Sequence, residues 1–270
     1  ANLCSGFVKN LKIISFLGKE NSERNFVLKN LNKNISHNFL YKKNSPTINK
    51  LRYLDDYKKT KILGVYNLND DLINKVEEKN FYNLIKKNIN KFDILVISDY
   101  GHGIFTEKIK KLLLKKNNKI FLNAQINSFN RGYNTVLKYK KINTLVINEG
   151  ELRYELRDKH SEVQKLAKKL SRKILVKNII VTRGKNGSTF INTRNNSSIS
   201  CPAFNKNNID TIGAGDTFFG ALSVVMGSQL DIKMCLLIGS LAASFAIDQQ
   251  GNKTYFDNKT LNKHLTHIFK

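Results

Sequence analysis

The sequence predicts an α/β fold in which a mainly parallel sheet is covered by helices. The chain has 270 residues, of which 41% are hydrophobic, so it is long enough to bury a substantial core. From about residue 92 onward, short apolar segments alternate with amphipathic segments of helical length. Strands separated by helices of roughly 10 to 15 residues are typical of βαβ units, whose parallel strands are buried on both faces.

Strands and helices are predicted in turn through the second two thirds of the chain. Apolar strands are expected in FDILVISDY (92–100), NKIFLNAQ (118–125) and NTLVINEGE (143–151), with an amphipathic helix, TEKIKKLLLKK, between the first two. A helix around HSEVQKLAKKLSRKILVK precedes NIIVTRGKNG and GSTFINT. We expect these last two segments to pair as a strand, a turn and a return strand.

The first 90 residues are less regular and predict a small flap. NFLYKKNSPTINKLRYLDD and KKTKILGVYNLND alternate apolar and polar positions around turn residues such as Pro46 and Gly64, which is typical of an antiparallel hairpin. The chain has only two prolines and no long linker. We therefore predict one continuous domain over 1–270, with a lid-like flap at about 38–66.

Composition narrows the classes of function. Lys and Arg total 46 against 21 Asp and Glu, a net charge of +25, but only eight of the basic residues are Arg and the lysines are spread along the chain. The sequence has no basic run with interleaved aromatics and no zinc-finger or helix-turn-helix spacing. We therefore predict a solvated basic surface and no nucleic-acid partner.

Cysteine usage and hydropathy indicate a cytoplasmic protein without a membrane segment. Cys4, Cys201 and Cys235 are far apart and form no CxxC pair, which argues against a disulfide framework or a zinc site. The run MCLLIGSLAASFAI (234–247) is too short to span a bilayer, which takes about 20 residues, and predicts a buried helix. The chain opens at Ala1 without a leader pattern, so we expect no signal peptide.

Polar residues follow each predicted strand, where open α/β sheets bind ligands. They occupy 99–101, 123–125, 148–151 and 182–184. Ligands of such sheets lie outside the carboxyl ends of the strands, so these segments are expected to converge on one cleft. A nucleotide or a sugar would suit that cleft, although strand ends are polar in most proteins.

The stretch IDTIGAGDTFFG introduces an apolar helix with a bare backbone. Gly213, Ala214 and Gly215 leave successive amides unobstructed, and a helix N-terminus adds a positive dipole that attracts an anion. Asp216 can accept a proton from a hydroxyl beside that anion, which suits phosphoryl transfer. The alternative is structural, with Asp210 or Asp216 capping the helix and the glycines forming a tight turn. The stretch is neither a Walker A loop nor GxGxxG.

Three motifs in order along the chain resemble the ribokinase-like (PfkB) carbohydrate kinase family. DTIGAGD (210–216) matches the family's D-T-x-G-A-G-D signature. NEGE (148–151) matches its N-x-x-E motif, and TRG (182–184) with Gly187 matches its nucleotide-loop motif. The resemblance implies a three-layer α/β/α fold with a mainly parallel central sheet and a small β lid. It also implies ATP-dependent phosphoryl transfer to a sugar hydroxyl.

The resemblance gives roles to the residues that match family motifs. Asp216 would be the catalytic base, and the amides of Gly213, Ala214 and Gly215 would form the anion hole. The nucleotide site would include Asn148, Glu151, Thr182, Arg183, Gly184, Gly187, Ala243 and Asn252. The sugar would contact Asn2, Lys50, Arg52 and Asp99, with Asn123 and Gln125 as further candidates. Mg²⁺ would bind through water at Asn148 and Glu151, and a monovalent cation, K⁺, at Asp210 and Thr211.

Further stretches are similar to the branch of the family that contains the heptose-phosphate kinases of lipopolysaccharide-core synthesis. They are SDYGHG (98–103), PTINKLR (46–52) and AQINSFNRGYN (124–134). This resemblance implies D-glycero-D-manno-heptose 7-phosphate as the substrate, a homodimer formed through the lid, and a nucleotidyltransferase domain or partner. Another sugar or sugar phosphate stays open as the acceptor.

The chain departs from the family pattern in two places. The family begins with a strand bearing a substrate-binding Asp, then lid strands and a Gly-Gly turn ending in Ala-Asn; this chain opens at Ala1-Asn2, so we expect the first strand and part of the lid to be missing. His102 stands where relatives often carry Lys, and a neutral imidazole holds an anionic sugar phosphate less well. A non-catalytic nucleotide- or sugar-binding remnant of the fold therefore stays the alternative to a kinase.

Overall fold

The N-terminal part of the computed structural model contains a pair of parallel strands joined by a helix. The structure describes residues 1–20, 22–55, 61–114, 119–126, 130–204, 213–248 and 256–268. Its first elements are α1 (Asn2–Ser5), β1 (Leu11–Gly18), α2 (Arg24–Lys29) and β2 (Ile35–Lys42). β1 and β2 pair from Leu11 opposite Ile35 to Gly18 opposite Lys42. Parallel neighbours need a crossover connection, which α2 and its flanking loops supply.

An antiparallel hairpin, called the lid below, follows β2 within the segment predicted to be lid-like. Its strands are β3 (Asn49–Leu54) and β4 (Lys61–Asn67). Because side chains alternate between the faces of a strand, one face of the hairpin is basic and aromatic and the opposite face is apolar. The first face carries Lys50, Arg52 and Tyr66, and the second carries Leu51, Tyr53, Leu63 and Val65.

Helices and strands alternate through the middle of the chain. They are α3 (Lys75–Asn88), β5 (Ile94–Asp99), α4 (Glu107–Leu114), β6 (Lys119–Ala124), β7 (Lys141–Asn148), α5 (Glu149–Leu156) and α6 (Val163–Ser171). α3 begins at a capping box, in which the Asn74 side chain accepts from the Glu77 amide and the Glu77 carboxylate accepts from the Asn74 amide.

The C-terminal part adds return strands and apolar helices. They are β8 (Leu175–Thr182), β9 (Ser188–Asn192), β10 (Ser198–Cys201), α7 (Ala214–Gly227), α8 (Ile232–Asp248) and α9 (Asn258–Ile268). α7 and α8 pack against each other through buried side chains that include Phe218, Leu222 and Leu236. Burial of this kind stabilises the helices by about 1.5–3 kcal/mol for each large apolar side chain.

The central sheet sets the position of the strand ends. In the described part of the chain its order is β10-β9-β8-β7-β6-β5. β5, β6, β7 and β8 are parallel, whereas β9 is antiparallel to both β8 and β10. The carboxyl ends of the parallel strands therefore lie at one edge of the sheet.

Alternate residues of the parallel strands are buried on opposite faces of the sheet. Leu145 and Ile147 of β7 pack with α3, α4, α5 and α6, whereas Val146 between them packs with α7 and α8. β8 repeats the alternation at Ile179 and Ile180. Helices thus cover both faces, and the predicted α/β/α arrangement is confirmed.

The strands and helices predicted from residue 92 onward are confirmed, including the return strand β9 and the buried helix α8, except that helix α5 begins at Glu149 and strand β8 begins at Leu175. Within the described ranges, no helix combines the length and the hydropathy needed to cross a bilayer. The N-terminal part differs from the prediction, because residues 38–42 end the parallel strand β2 and the flap begins only at Asn49. Period-two alternation identifies a strand but not its partner.

Candidate active site

Side chains from two neighbouring strand ends converge on Asp216 in the first turn of α7. Tyr100 follows β5 and Gln125 follows β6. The Tyr100 hydroxyl donates to Oδ1 of Asp216 at 2.9 Å, and the Gln125 side-chain amide donates to the same oxygen at 2.6 Å. The carboxyl ends of β5 and β6 therefore meet the start of α7 at one carboxylate.

The start of α7 has no side-chain cap among the described residues. Gly213 is the N-cap residue, with φ of +83°. A Cβ on Gly215 would meet nothing within 4 Å, so packing does not require a glycine at this position. Uncapped amides and the helix dipole favour an anion in this space. The Asp216 carboxylate accepts from Tyr100 and Gln125 instead of capping the helix, and Asp210, the other capping candidate, lies outside the described residues.

The basic face of the lid lies over this cluster. The Lys50 ammonium is 5.3 Å from the centroid of the Tyr100 ring and 6.0 Å from that of Tyr66. Burial lowers the pKa of Lys50 and the charge of Arg52 lowers it further, while the charge of Asp216 acts in the opposite direction. Lys50 thus brings positive charge from the lid into electrostatic reach of Asp216, and Arg52 shares its face of the hairpin.

His102 lies beside Tyr100 with its ring nearly parallel. The two ring centroids are 6.4 Å apart and the planes differ by 7°. Both ring nitrogens of His102 are buried and have no hydrogen-bond partner among the described residues. Burial lowers the pKa of His102 and the charge of Lys50 lowers it further, so the imidazole is neutral at neutral pH.

The N-x-x-E motif forms a capping box for α5. Oδ1 of Asn148 accepts from the Gly150 amide at 2.8 Å, and Oε2 of Glu151 accepts from the Asn148 amide at 3.1 Å. The residues predicted to organise Mg²⁺ therefore also hold the helix start that follows β7.

Glu151 is linked to Asp216 through the end of β6. Its second carboxylate oxygen accepts from the Ile126 amide at 3.0 Å, and the preceding residue, Gln125, donates to Asp216. Burial raises the pKa of Glu151; the two backbone amides oppose this shift and the charge of Asp216 adds to it. The two carboxylates therefore share one electrostatic environment.

The N-x-x-E and nucleotide-loop motifs are neighbours in the sheet. Asn148 and Thr182 are register partners at the carboxyl ends of β7 and β8. Glu149 joins the two segments further, because its carboxylate accepts from Arg153 at 2.6 Å and from Arg183 at 2.9 Å. Burial alone would raise the pKa of Glu149, but the two guanidiniums hold it below its usual value.

Gly184 and Gly187, which follow β8, suit glycine for different structural reasons. A Cβ on Gly187, which has φ of +76°, would lie 2.0 Å from the carbonyl oxygen of Cys201. A Cβ on Gly184 would meet nothing within 4 Å, although its φ of +53° also favours glycine. The Arg183 amide closes this turn by donating to the Gly187 carbonyl at 2.8 Å. Gly184 therefore borders open space, as Gly215 does.

Asp99 is buried beneath the turn that carries Tyr100. Its side chain is 2% exposed, and Oδ1 accepts from the Gly101 amide at 2.9 Å. Oδ2 accepts from the Tyr139 hydroxyl at 2.8 Å and pairs with the Lys138 ammonium at 2.5 Å. The carboxylate thus organises the turn from below, and a contact between Asp99 and the sugar stays a prediction.

Other predicted residues have contacts elsewhere. The Asn2 side chain donates to the Asn30 carbonyl at 2.7 Å and accepts from the Asn32 amide at 3.1 Å, which ties α1 to the segment after α2. Asn123 is buried and donates to the Val146 carbonyl at 2.9 Å, between β6 and β7.

Predictions near the C-terminus are only partly covered by the described residues. Ala243 lies on α8 and packs, partly buried, against the apolar cluster of α7 and α8. Asp210, Thr211 and Asn252 lie outside the described residues. The predicted K⁺ site and the Asn252 assignment therefore stay predictions.

Sequence reasoning placed Tyr100 and Glu149 in the strand-end segments expected to line the cleft but gave neither a role, and it did not single out Asn134 as functional. Tyr100 belongs to a stretch already noted, SDYGHG, and directly follows a strand, which is the available signal. Glu149 stands inside the N-x-x-E motif at a position the motif leaves free. Asn134 lies in an Asn-rich segment, and its importance comes from contacts that the sequence does not reveal.

The residues predicted to organise Mg²⁺ have donor types that suit an ion held through water and phosphate. Glu151 supplies a carboxylate and Asn148 supplies an amide oxygen, which are the hard donors that Mg²⁺ prefers. Within the described ranges, no group of three or more His, Cys, Asp or Glu side chains could enclose a metal. Mg²⁺ usually keeps several waters and binds one or two carboxylates together with substrate phosphates.

The chain matches one family of known proteins over most of its length. The family model described as pfkB family carbohydrate kinase matches residues 3–259. The chain is 25% identical over 248 residues to the bifunctional protein HldE of Aliarcobacter butzleri, covering 90% of this chain and 50% of that protein. It is 27% identical over 262 residues to an uncharacterized sugar kinase of Buchnera aphidicola, covering 93% and 77%. The chain thus spans about half the length of its HldE relative.

The fold is similar to that of phosphofructokinase-2 from Escherichia coli, solved in complex with potassium. The TM-score is 0.78 at 17% sequence identity, and the match covers 100% of this chain and 86% of that one. At this identity the likeness shows the common α/β fold alone.

Proposed function

Because this chain belongs to the pfkB family of carbohydrate kinases, we propose that it transfers the γ-phosphoryl group of ATP to a hydroxyl of a sugar or sugar phosphate at Asp216. The supporting observation is that the Asp216 carboxylate lies beside uncapped amides and beside Gly215, which borders open space. Phosphoryl transfer is catalysed mainly by positioning and by stabilisation of charge, which a base next to an anion cradle supplies.

In the proposed step, Asp216 accepts the proton of the sugar hydroxyl as the hydroxyl oxygen attacks the γ-phosphorus. A new bond forms between that oxygen and phosphorus, while the bond to the β–γ bridging oxygen breaks and ADP leaves with the electron pair. The amides of Gly213, Ala214 and Gly215 stabilise the charge on the transferring group. The products are a phosphorylated sugar, ADP and the protonated carboxyl.

The nucleotide is proposed to lie along the carboxyl ends of β7 and β8. The register pairing of Asn148 with Thr182 and the open space at Gly184 support this placement. Asn148 and Glu151 would hold the waters of Mg²⁺, and the ion would supply positive charge to the nucleotide phosphates. K⁺ at Asp210 and Thr211 is proposed from the family signature.

The proposed acceptor is D-glycero-D-manno-heptose 7-phosphate. SDYGHG and PTINKLR support this choice through their similarity to the heptose-phosphate kinase branch. Lys50 and Arg52 on the inner face of the lid supply positive charge that suits a sugar phosphate. A nucleotidyltransferase domain or partner is proposed on the same grounds, and the double length of the bifunctional relative agrees with it.

A homodimer formed through the lid is proposed from the apolar face of the hairpin. Leu51 lies opposite Val65 and Tyr53 opposite Leu63, and all four side chains are exposed. An apolar sheet face of this kind is commonly covered by a partner. A cytoplasmic location is proposed because ATP is the phosphoryl donor and Cys4, Cys201 and Cys235 are free thiols.

The test measures ADP formation by the natural gene product with a panel of sugars that includes the heptose 7-phosphate. Asp216→Asn is expected to lower the sugar-dependent kcat by about 10²–10⁴-fold, because it removes a general base. Asp93→Asn, an exposed carboxylate beyond the sheet edge residue Ile94, serves as the matched control. Unchanged turnover in Asp216→Asn would contradict the assignment of the base.

The alternative, a non-catalytic remnant, gives a different result in the same experiment. ATP would raise the thermal midpoint of unfolding without sugar-dependent ADP formation from any member of the panel. The departure at His102 favours this alternative, because its imidazole is neutral where relatives often have Lys.

A further inference from the structure

The Asp216 carboxylate is held at one oxygen by two neutral donors. Tyr100 and Gln125 both donate to Oδ1, at 2.9 Å and 2.6 Å. In the described part of the chain, the hydrogen bonds to this carboxylate end on that oxygen. The second oxygen, Oδ2, is therefore the one that the arrangement presents to a substrate hydroxyl.

Both donors keep their protons across the working pH range. Burial raises the pKa of Tyr100 far above its usual value, and the charge and hydrogen bond of Asp216 raise it further. The Gln125 amide does not titrate. Neither side chain can take the proton that Asp216 receives. Both therefore serve to orient the Asp216 carboxylate.

A single buried asparagine joins the backbones of the two donors. The Asn134 side-chain amide donates to the Gln125 carbonyl at 2.9 Å and to the Asp99 carbonyl, one residue before Tyr100, at 3.2 Å. Asn134 is 4% exposed. The Gln125 amide also donates to the Asp99 carbonyl at 2.9 Å. The ends of β5 and β6 are thus fixed relative to each other beside the donors.

The turn that carries Tyr100 is fixed from a second side. The Asn130 side chain donates to the Tyr100 carbonyl at 2.7 Å. Gly101 has φ of +74°, and a Cβ there would lie 2.2 Å from Asn130 Nδ2, so this close approach requires glycine. The buried Asp99 accepts from the Gly101 amide at 2.9 Å. Polar contacts below the turn therefore leave Tyr100 little freedom.

We propose that Tyr100 and Gln125 are positioning residues for phosphoryl transfer, which hold Oδ1 of Asp216 so that Oδ2 faces the acceptor hydroxyl, and that Asn134 sets the spacing between them. The inference rests on the proposed function of Asp216 as the base. It extends that function by assigning roles to an aromatic hydroxyl and an amide from the neighbouring strand ends.

The kinetic test uses Tyr100→Phe and Gln125→Met, which keep side-chain size and remove the donor to Asp216. Each is expected to lower the sugar-dependent kcat by about tenfold or more, as loss of one charge-assisted hydrogen bond implies, with KM for ATP changed less than about twofold. Tyr133→Phe, on a side chain that is 88% exposed, and Gln164→Met on the exposed face of α6 are the controls.

Two kinetic results would overturn the proposal. One is a kcat within about twofold of the wild-type value for both variants. The other is a rise in KM for ATP with kcat unchanged, because that pattern indicates uniform nucleotide binding instead of positioning of the base. Asn134→Asp retains the size of the side chain and removes its amide donor. This variant is therefore also expected to have a lower kcat than the wild type.

A second readout needs no turnover. Urea unfolding midpoints are measured for the wild type, Tyr100→Phe, Asp216→Ala and the double variant, which together form a double-mutant cycle. The changes in midpoint are expected to be non-additive, because the two side chains share one hydrogen bond. Additive midpoints would show that Tyr100 does not contact Asp216 and would refute the proposal. Absence of sugar-dependent ADP formation by the wild type would instead refute the proposed function, while the cycle still tests the contact.

Discussion

The ammonium of Lys50 lies 5.3 Å from the centroid of the Tyr100 ring, whose hydroxyl donates to Asp216 at 2.9 Å. The lid thus approaches the ring face of Tyr100, and the base accepts from the hydroxyl of the same side chain. Because a cation over an aromatic face is attracted to the ring, this contact helps to hold the lid over the site.

Replacement of Lys50 by Met is expected to lower kcat/KM for the sugar by about tenfold, since it removes the cation near both Tyr100 and Asp216. Steady-state kinetics at varied sugar concentration measure the effect. Lys165→Met, at an exposed position on α6, is the matched control. Equal kcat/KM in the two variants would contradict a role for the lid cation.

Gly215→Ala separates stability from function. The added Cβ enters open space on a helical residue, so the free energy of unfolding is expected to stay unchanged or to rise by as much as about 1 kcal/mol. The same methyl group obstructs the proposed anion cradle, and kcat is expected to fall by about 10²-fold.

Thermal unfolding and ADP formation measured on the same preparation check both parts of this prediction. If Gly215→Ala turned over sugar at the wild-type rate, ligand phosphate would not approach this part of the backbone.

Glu149→Gln is expected to raise KM for ATP by about three- to tenfold and to leave KM for the sugar unchanged. The substitution weakens the ion pairs that hold Arg183 and Arg153, and Arg183 belongs to the predicted nucleotide loop. Glu162→Gln, an exposed carboxylate at the start of α6, is the control. A change in KM for the sugar alone would place the ion pairs outside the nucleotide site.

His102 is expected to make stability depend on pH below neutrality. Burial and the charge of Lys50 lower its pKa in the folded protein below the usual 6.5, so the unfolded chain binds the proton more readily. Stability is therefore fully present above pH 6.5 and is lost as the pH falls from there through the folded-state pKa.

Urea unfolding midpoints measured between about pH 7 and about pH 5 test this dependence. His102→Gln is expected to lose less stability over that range than the wild type. His160→Gln, at an exposed position, is expected to behave like the wild type. Identical slopes for His102→Gln and the wild type would show that His102 does not contribute.

Leu51→Glu is expected to convert the proposed lid dimer into a monomer. It places a charge at the centre of the apolar face, directly opposite Val65. Light scattering coupled to size-exclusion chromatography measures the molar mass. Leu175→Glu, at a side chain that is 70% exposed at the start of β8, controls for the added charge. A monomeric wild type would refute the lid dimer.

Local sequence patterns determined the elements of the central sheet and its covering helices. β5 to β9 and the helices α7 and α8 lie where apolar segments and turn residues predicted them, because burial periodicity is a property of neighbouring residues. The GAGD stretch likewise predicted a helix start with bare amides and a carboxylate beside them, as Gly213 and Asp216 show.

Only the tertiary structure decided which groups meet that carboxylate. Tyr100 and Gln125 are 116 and 91 positions away from Asp216 along the chain, and the strand order brings all three together. Asp99 and Tyr100 are adjacent in sequence, yet the acid is buried beneath the turn and the phenol reaches the site. Successive residues point to opposite sides of a strand, so the face that each takes depends on packing against distant segments.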